Sequence, residues 1–212
     1  MELNPSKTSF GRNETFNLRY SWLNKGLKEF KENPYIFSSE KAPLTLGVGK
    51  NMVNSIKYWL GAYQVIDFSI ESPSETEFGR IINKYDPYLE NPATLWLLHW
   101  KLCTNPDNAT FYHWFFNHFK KTRFTKIELI NEIIDWLDGH GCKKVSPATL
   151  ERDGLLLLKT FSNSADEVKN FEESLETVGL FTRFNKTSLA SGLSLSIKLL
   201  LLSELYSSSG DV

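Results

Sequence analysis

Val53, Ile56, Trp59 and Leu60 recur at three- and four-residue spacing, so they share one face of a helix. Lys50, Asn51, Asn54 and Lys57 fall on the opposite face. A glycine-containing turn, Leu46-Gly47-Val48-Gly49, opens this helix near Lys50. Gly61 and the β-branched pair Val65-Ile66 predict its end near Ala62 and the start of a strand. Ser74 to Gly79 follows, and Phe78 to Ile82 reads as a returning strand or a last short helix. Upstream, Leu18, Trp22, Leu23, Leu27 and Phe30 make an apolar stripe over Phe16 to about Lys31. Asn13 or Thr15 is the expected cap of that helix, and Asn33-Pro34 breaks it. Helix, turn, helix, strand, turn, strand is the outline of a winged helix-turn-helix over residues 10–85.

Beyond Asp86 to Pro92, a turn-rich linker, the pattern turns wholly helical. Leu95 to Cys103, with Thr94 as its expected cap, is apolar on nearly every side and predicts a buried helix. Phe111 to Phe119 is a second, aromatic helix ending in Lys120, Lys121 and Arg123. Such rings beside a basic tip can stack unpaired bases, but rings this dense are more often core. Thr125 and Glu128 fit a capping box at the head of a stripe of Ile127, Ile130, Ile133, Ile134 and Leu137. Gly139-His140-Gly141 stops that helix, and Pro147 starts another that runs to about Phe161. This pair is either a second helix-turn-helix or half of a plain bundle. Thr177 to Phe184 reads as a strand pair or short strand, and Leu189 to Tyr206 as a Leu/Ser-rich helix. The fold class is therefore mainly α: an N-terminal winged helix-turn-helix (10–85) followed by a helical domain (86–212).

Charge changes this picture only locally. The formal net charge is −1, so the chain as a whole does not advertise nucleic acid. Residues 1–60, however, hold nine Lys/Arg against five Glu. A basic front end is the footprint of a phosphate-contacting surface. The outward Lys and Asn side chains of the 50–62 helix suit the DNA major groove, and Arg12 and Arg19 are placed to clamp phosphates or simply to be solvated. The two cysteines suggest no disulfide framework and fit a reduced, cytoplasmic setting. No apolar run approaches the length that spans a bilayer.

Three blocks, FGRNETFNLRYSWLNKG, LGVGKNMVNSIKYW and DPYLENPATLWLLHWKL, cover most of residues 10–120. Together they resemble a bacterial domain-of-unknown-function family encoded beside DNA phosphorothioation genes, the SspB-like DNA nickase family. The resemblance implies a protein that binds double-stranded DNA, and nicks it as members of that family are described to do, alongside a cysteine desulfurase, an ATPase and a sulfur-inserting enzyme. It carries over only the blocks Arg12 to Glu14, Gly47 to Asn51 and Asp86 to Trp100, and assigns no cutting residue.

The chemistry of the chain itself is sparse. Gly47-Val48-Gly49-Lys50 is too short for a phosphate-binding P-loop, so no nucleotide cofactor is expected and ATP work would fall to a partner. A nickase would use carboxylates to hold Mg²⁺ or Mn²⁺. Glu14, Asp86 and Glu90 are the candidates, each better explained as a cap or turn former. His113 and His118, five residues apart, are spaced poorly for one metal, and His99 reads as a core histidine. Two further functions stay open: a non-enzymatic adaptor, marked by an outward apolar patch, and a transcription regulator, marked by a symmetric homodimer.

Overall fold

The computed structural model describes residues 3–121, 123–161 and 181–182. The order is α1 (Tyr20–Glu32), a 3-10 turn (Ile36–Ser38), α2 (Ala42–Leu46), α3 (Lys50–Ala62), β1 (Ile66–Asp67), β2 (Ser74–Glu75) and α4 (Glu77–Tyr85). Then follow α5 (Pro92–Cys103), α6 (Thr110–Asn117), β3 (Arg123–Phe124), α7 (Lys126–Gly139), α8 (Pro147–Phe161) and β4 (Phe181–Thr182). The described residues are mainly helical, and the strands form two short antiparallel pairs, β1 with β2 and β3 with β4.

Amphipathic spacing and end signals explain most of the helices. Gly47, at φ 57°, closes α2 in the left-handed region, where glycine has no Cβ to clash. Gly49 then turns the chain into α3. Val53, Ile56, Trp59 and Leu60 are all buried, and α1 lies so close that a Cβ on Gly26 would sit 2.7 Å from Ile56 and Leu60. The Thr125/Glu128 capping box opens α7 as expected.

Several expectations give way. The first helix starts at Tyr20, not Phe16, because Asn13 is spent in a turn: its carbonyl takes the Phe16 amide and its side chain takes the Thr15 amide. The returning strand is Ser74–Glu75, while Phe78 to Ile82 belongs to α4, capped by the Thr76 hydroxyl on the Gly79 amide. Asn91, not Thr94, caps α5. That helix is not buried all round, since Trp96 and Trp100 stand 42% and 40% exposed. The aromatics of α6 are core: Phe111, Tyr112, Trp114 and Phe115 are buried. They are therefore closed to stacking bases. Of the strand expected over 177–184 only Phe181–Thr182 is described, and the expected helix over 189–206 lies outside the described residues.

One cluster of buried side chains runs from Trp22 and Leu27 on α1, through Trp59 and Tyr112, to Leu157 on α8. Side-chain amides stitch the two expected regions together. Gln64 donates to the Lys101 carbonyl, Asn105 to those of Gly61 and Ala62, and Asn24 to that of Pro87.

Candidate nucleic-acid interface

The N-terminal segment does not trail off. Ser9 N–H donates to the Thr110 hydroxyl. Gly11 N–H and Asn13 Nδ2 each donate to one carboxylate oxygen of Asp153 on α8, both at 2.8 Å. Asp153 and Asn13 are each only 3% exposed. Burial raises the Asp153 carboxyl above its usual range, although the Gly11 and Asn13 hydrogen bonds pull the other way. The same latch loop carries three left-handed residues, Gly11, Glu14 and Thr15. For the two non-glycine residues this is strained backbone, worth on the order of 1–3 kcal/mol each, and such strain collects at functional sites.

The latch holds Arg12 and Glu14 against α3. Together they line a cleft of about 800 Å³, floored by Asn54, Lys57 and Tyr58 and walled by the β1–β2 hairpin and the Asn105–Asn108 turn. Burial, and then the charge of Asp153, push the Tyr58 hydroxyl well above its usual range, so it stays a neutral hydrogen-bonding group. Asn54 Nδ2 donates to Glu14 Oε1 at 3.3 Å. The Lys57 ammonium lies 5.3 Å from the centre of the Phe68 ring. The polar face of α3 thus has two parts: Lys50 and Asn51 are open, whereas Asn54 and Lys57 look into the cleft.

Of the sequence-predicted residues, Arg12, Glu14, Asn54 and Lys57 come together. Lys50 and Asn51 extend the same helix face one turn away. Arg19 is exposed, with its guanidinium 5.3 Å from the Trp22 ring centre. Among the described residues, none of Arg12, Arg19, Lys50 or Lys57 takes part in a salt bridge, unlike Lys31, Arg80, Lys121 and Lys126. Asp86 sits apart, in the linker before α5. Its two oxygens take the Glu90 and Asn91 amides, and Thr94 foremost, then these amides, holds its carboxyl below the ordinary range. Glu90 is exposed beside it. Sequence reading missed Asp153, Tyr58 and the Asn105–Asn108 turn. The available signal was an aspartate set just before the Leu155 to Leu158 run of an otherwise apolar helix.

A magnesium centre needs several converging oxygen donors. Among the described residues no group of three or more His, Cys, Asp or Glu is placed to hold an ion. Glu14, Asp86 and Glu90 therefore do not fit a magnesium centre with one another, and no cleavage step is derived from them.

A family described as "Protein of unknown function (DUF4007)" matches residues 10–186. The chain belongs to this family. Among solved structures, the DUF4007 chain resembles a magnesium ion-bound SspB crystal structure with TM-score 0.68 and 28% identity, over 82% of this chain and 55% of that one. A second SspB crystal structure gives TM-score 0.68 and 29% identity, over 81% and 54%. The chain thus spans about half the length of the SspB chains it matches. No curated protein sequence matches it.

Proposed function

We propose that this DUF4007 chain is a DNA-engaging component of a phosphorothioation-linked defence system. In this reading α2, the Gly47–Gly49 turn, α3 and the β1–β2 hairpin work as a winged helix-turn-helix. Lys50 and Asn51 face base edges, and Arg12 and Arg19 face phosphates. The observation that carries the reading is a set of cations free of salt bridges among the described residues: Arg12 and Lys57 at the cleft, Lys50 open on α3, and Arg19 exposed before α1. Cations kept out of internal pairs can release counterions from a phosphate backbone. The likeness to SspB supports the rest: a cytoplasmic setting, and a cysteine desulfurase, an ATPase and a sulfur-inserting enzyme as partners. Nicking with Mg²⁺ or Mn²⁺ is then an activity of the assembled system, in which this chain places the duplex.

The test is duplex affinity against salt for the protein, for an Arg12→Ala/Arg19→Ala variant and for a Lys50→Ala/Lys57→Ala variant. Each lost phosphate contact flattens the slope of log K on log salt by about 0.9. Unchanged affinity and slope would discard the assignment. Supercoiled plasmid incubated with and without Mg²⁺ or Mn²⁺ separates a nickase from a placing module.

A non-enzymatic adaptor is the second reading. Leu44 on α2 is 85% exposed, and Trp96 and Trp100 face solvent from one side of α5. These are the outward apolar groups an adaptor would use. Full binding to the sulfur-transfer partners by the Lys50→Ala/Lys57→Ala variant, with DNA affinity absent even in the unmodified protein, would favour it.

A further inference from the structure

His113 and His118 are two of the chain's four histidines, and their five-residue spacing argues against a shared ligand. The structure nevertheless brings the two rings together. The helix α6 ends at Asn117, and the turn at His118 swings its ring back. The two Nε2 atoms lie 3.4 Å apart, with ring centres at 5.2 Å. Two imidazoles on one tetrahedral zinc ion, with Zn–N of about 2.0–2.1 Å, have nitrogens about 3.3–3.4 Å apart.

The pair is also braced from behind. His113 Nδ1 lies 2.8 Å from the Cys103 carbonyl, which accepts its proton, and Asn117 Nδ2 donates to the same oxygen at 2.9 Å. That bond fixes the His113 tautomer with an Nε2 lone pair facing His118, the outer-shell support typical of ligating histidines. The His118 ring packs on Trp136 at 5.3 Å. In the neutral, metal-free pair, His118 Nε2–H supplies the proton between the rings. A metal needs only the other neutral tautomer, with the proton on Nδ1, so nothing is released. Lys121, three residues beyond His118, is neutralised by Glu128 and Glu132.

We propose that His113 and His118 form a two-imidazole site for a borderline divalent transition metal such as Zn²⁺, at the C-terminal end of α6, with water in the remaining positions. Imidazole suits zinc, copper and nickel, whereas magnesium prefers oxygen, so this site is separate from any Mg²⁺-dependent step.

Zinc chloride titrated by calorimetry into the full chain, stripped beforehand with EDTA, tests the site. One ion per chain is expected. Affinity should fall by about tenfold or more in His118→Ala, stay unchanged in His140→Ala, and be absent for magnesium chloride. His118 is exposed, so His118→Ala should fold, which circular dichroism checks. His113→Ala removes a brace on Cys103 and serves only as a second variant. Absence of a one-to-one heat at sub-millimolar zinc, or undiminished binding in His118→Ala, would overturn the proposal.

Discussion

Two helix pairs among the described residues, α2–α3 and α7–α8, spend their charge differently. In α2–α3, the outward residues of α3 are Lys50, Asn51, Asn54 and Lys57, with no acid anywhere in the helix. In α7–α8, the helix α7 carries one Lys against two Glu and two Asp. Its Glu128 and Glu132 are bound to Lys121, and Lys126 reaches Glu151 on α8. The first pair keeps its cations available. The second ties Lys121 and Lys126 to its own acids and carries an acidic surface on α7, while Lys143 and Lys144 stand exposed in the turn before α8. Shared local shape therefore does not imply shared use, and the pairing state of the charges separates the two.

The largest expected effect lies outside both pairs, at His99 on α5, whose ring packs on Phe116 of α6. Burial lowers its pKa from 6.5 to about 4. A histidine whose folded pKa is depressed stabilises the fold above pH 6.5, because only the unfolded chain binds the proton as pH falls. That contribution is lost between pH 6.5 and about 4, and amounts to roughly 3 kcal/mol at most. Denaturant melts at pH 7 and pH 4.5 should show this loss in the protein and a smaller one in His99→Gln. An equal loss in both would remove His99 as the cause.

Next in size is the latch. Asp153→Ala strands the buried Asn13 amide and the Gly11 N–H, at a cost of about 2 kcal/mol. It also frees Arg12, so it should weaken DNA binding although the residue lies on α8. If Asp153→Ala lowered Tm but left DNA affinity intact, the latch would be stabilising only. The smallest effect sharpens the contrast itself. Lys121→Ala breaks two exposed ion pairs and should leave stability almost unchanged, with the salt slope of DNA binding unmoved. A flattened slope would show that the second pair also touches phosphate.

Much of the fold was legible in the sequence. The α3 stripe, the Gly47–Gly49 turn, the Thr125 capping box and Pro147 at the head of α8 are local signals, and all four hold. The strand at Ile66–Asp67 was also legible, from Val65-Ile66, whereas its return at Ser74–Glu75 was not, because two polar residues are too few for an alternating pattern to register. The expected solvent-free α5 failed because its Trp and Leu residues look equally apolar in sequence, while packing buries Leu98 and Leu102 and leaves Trp96 and Trp100 out. Of the candidate site, the four residues near α3 were readable from helical spacing. Their partner Asp153 was not, since it lies 140 residues from Asn13 and no local pattern marks so distant a contact. The histidine pair depends on how one turn ends, which spacing on an ideal helix misjudges.

Consecutive left-handed residues at Glu14 and Thr15 make the latch loop a poor site for editing. An insertion of even one residue there would shift the phase of the segment between Asn13 and α1, and would carry Arg12 out of reach of α3. Epitope tags, linkers or grafted sequences should therefore be kept clear of residues 9–16, and a fluorescent handle is better placed in the exposed Lys143–Lys144 stretch, where the backbone makes no such demand.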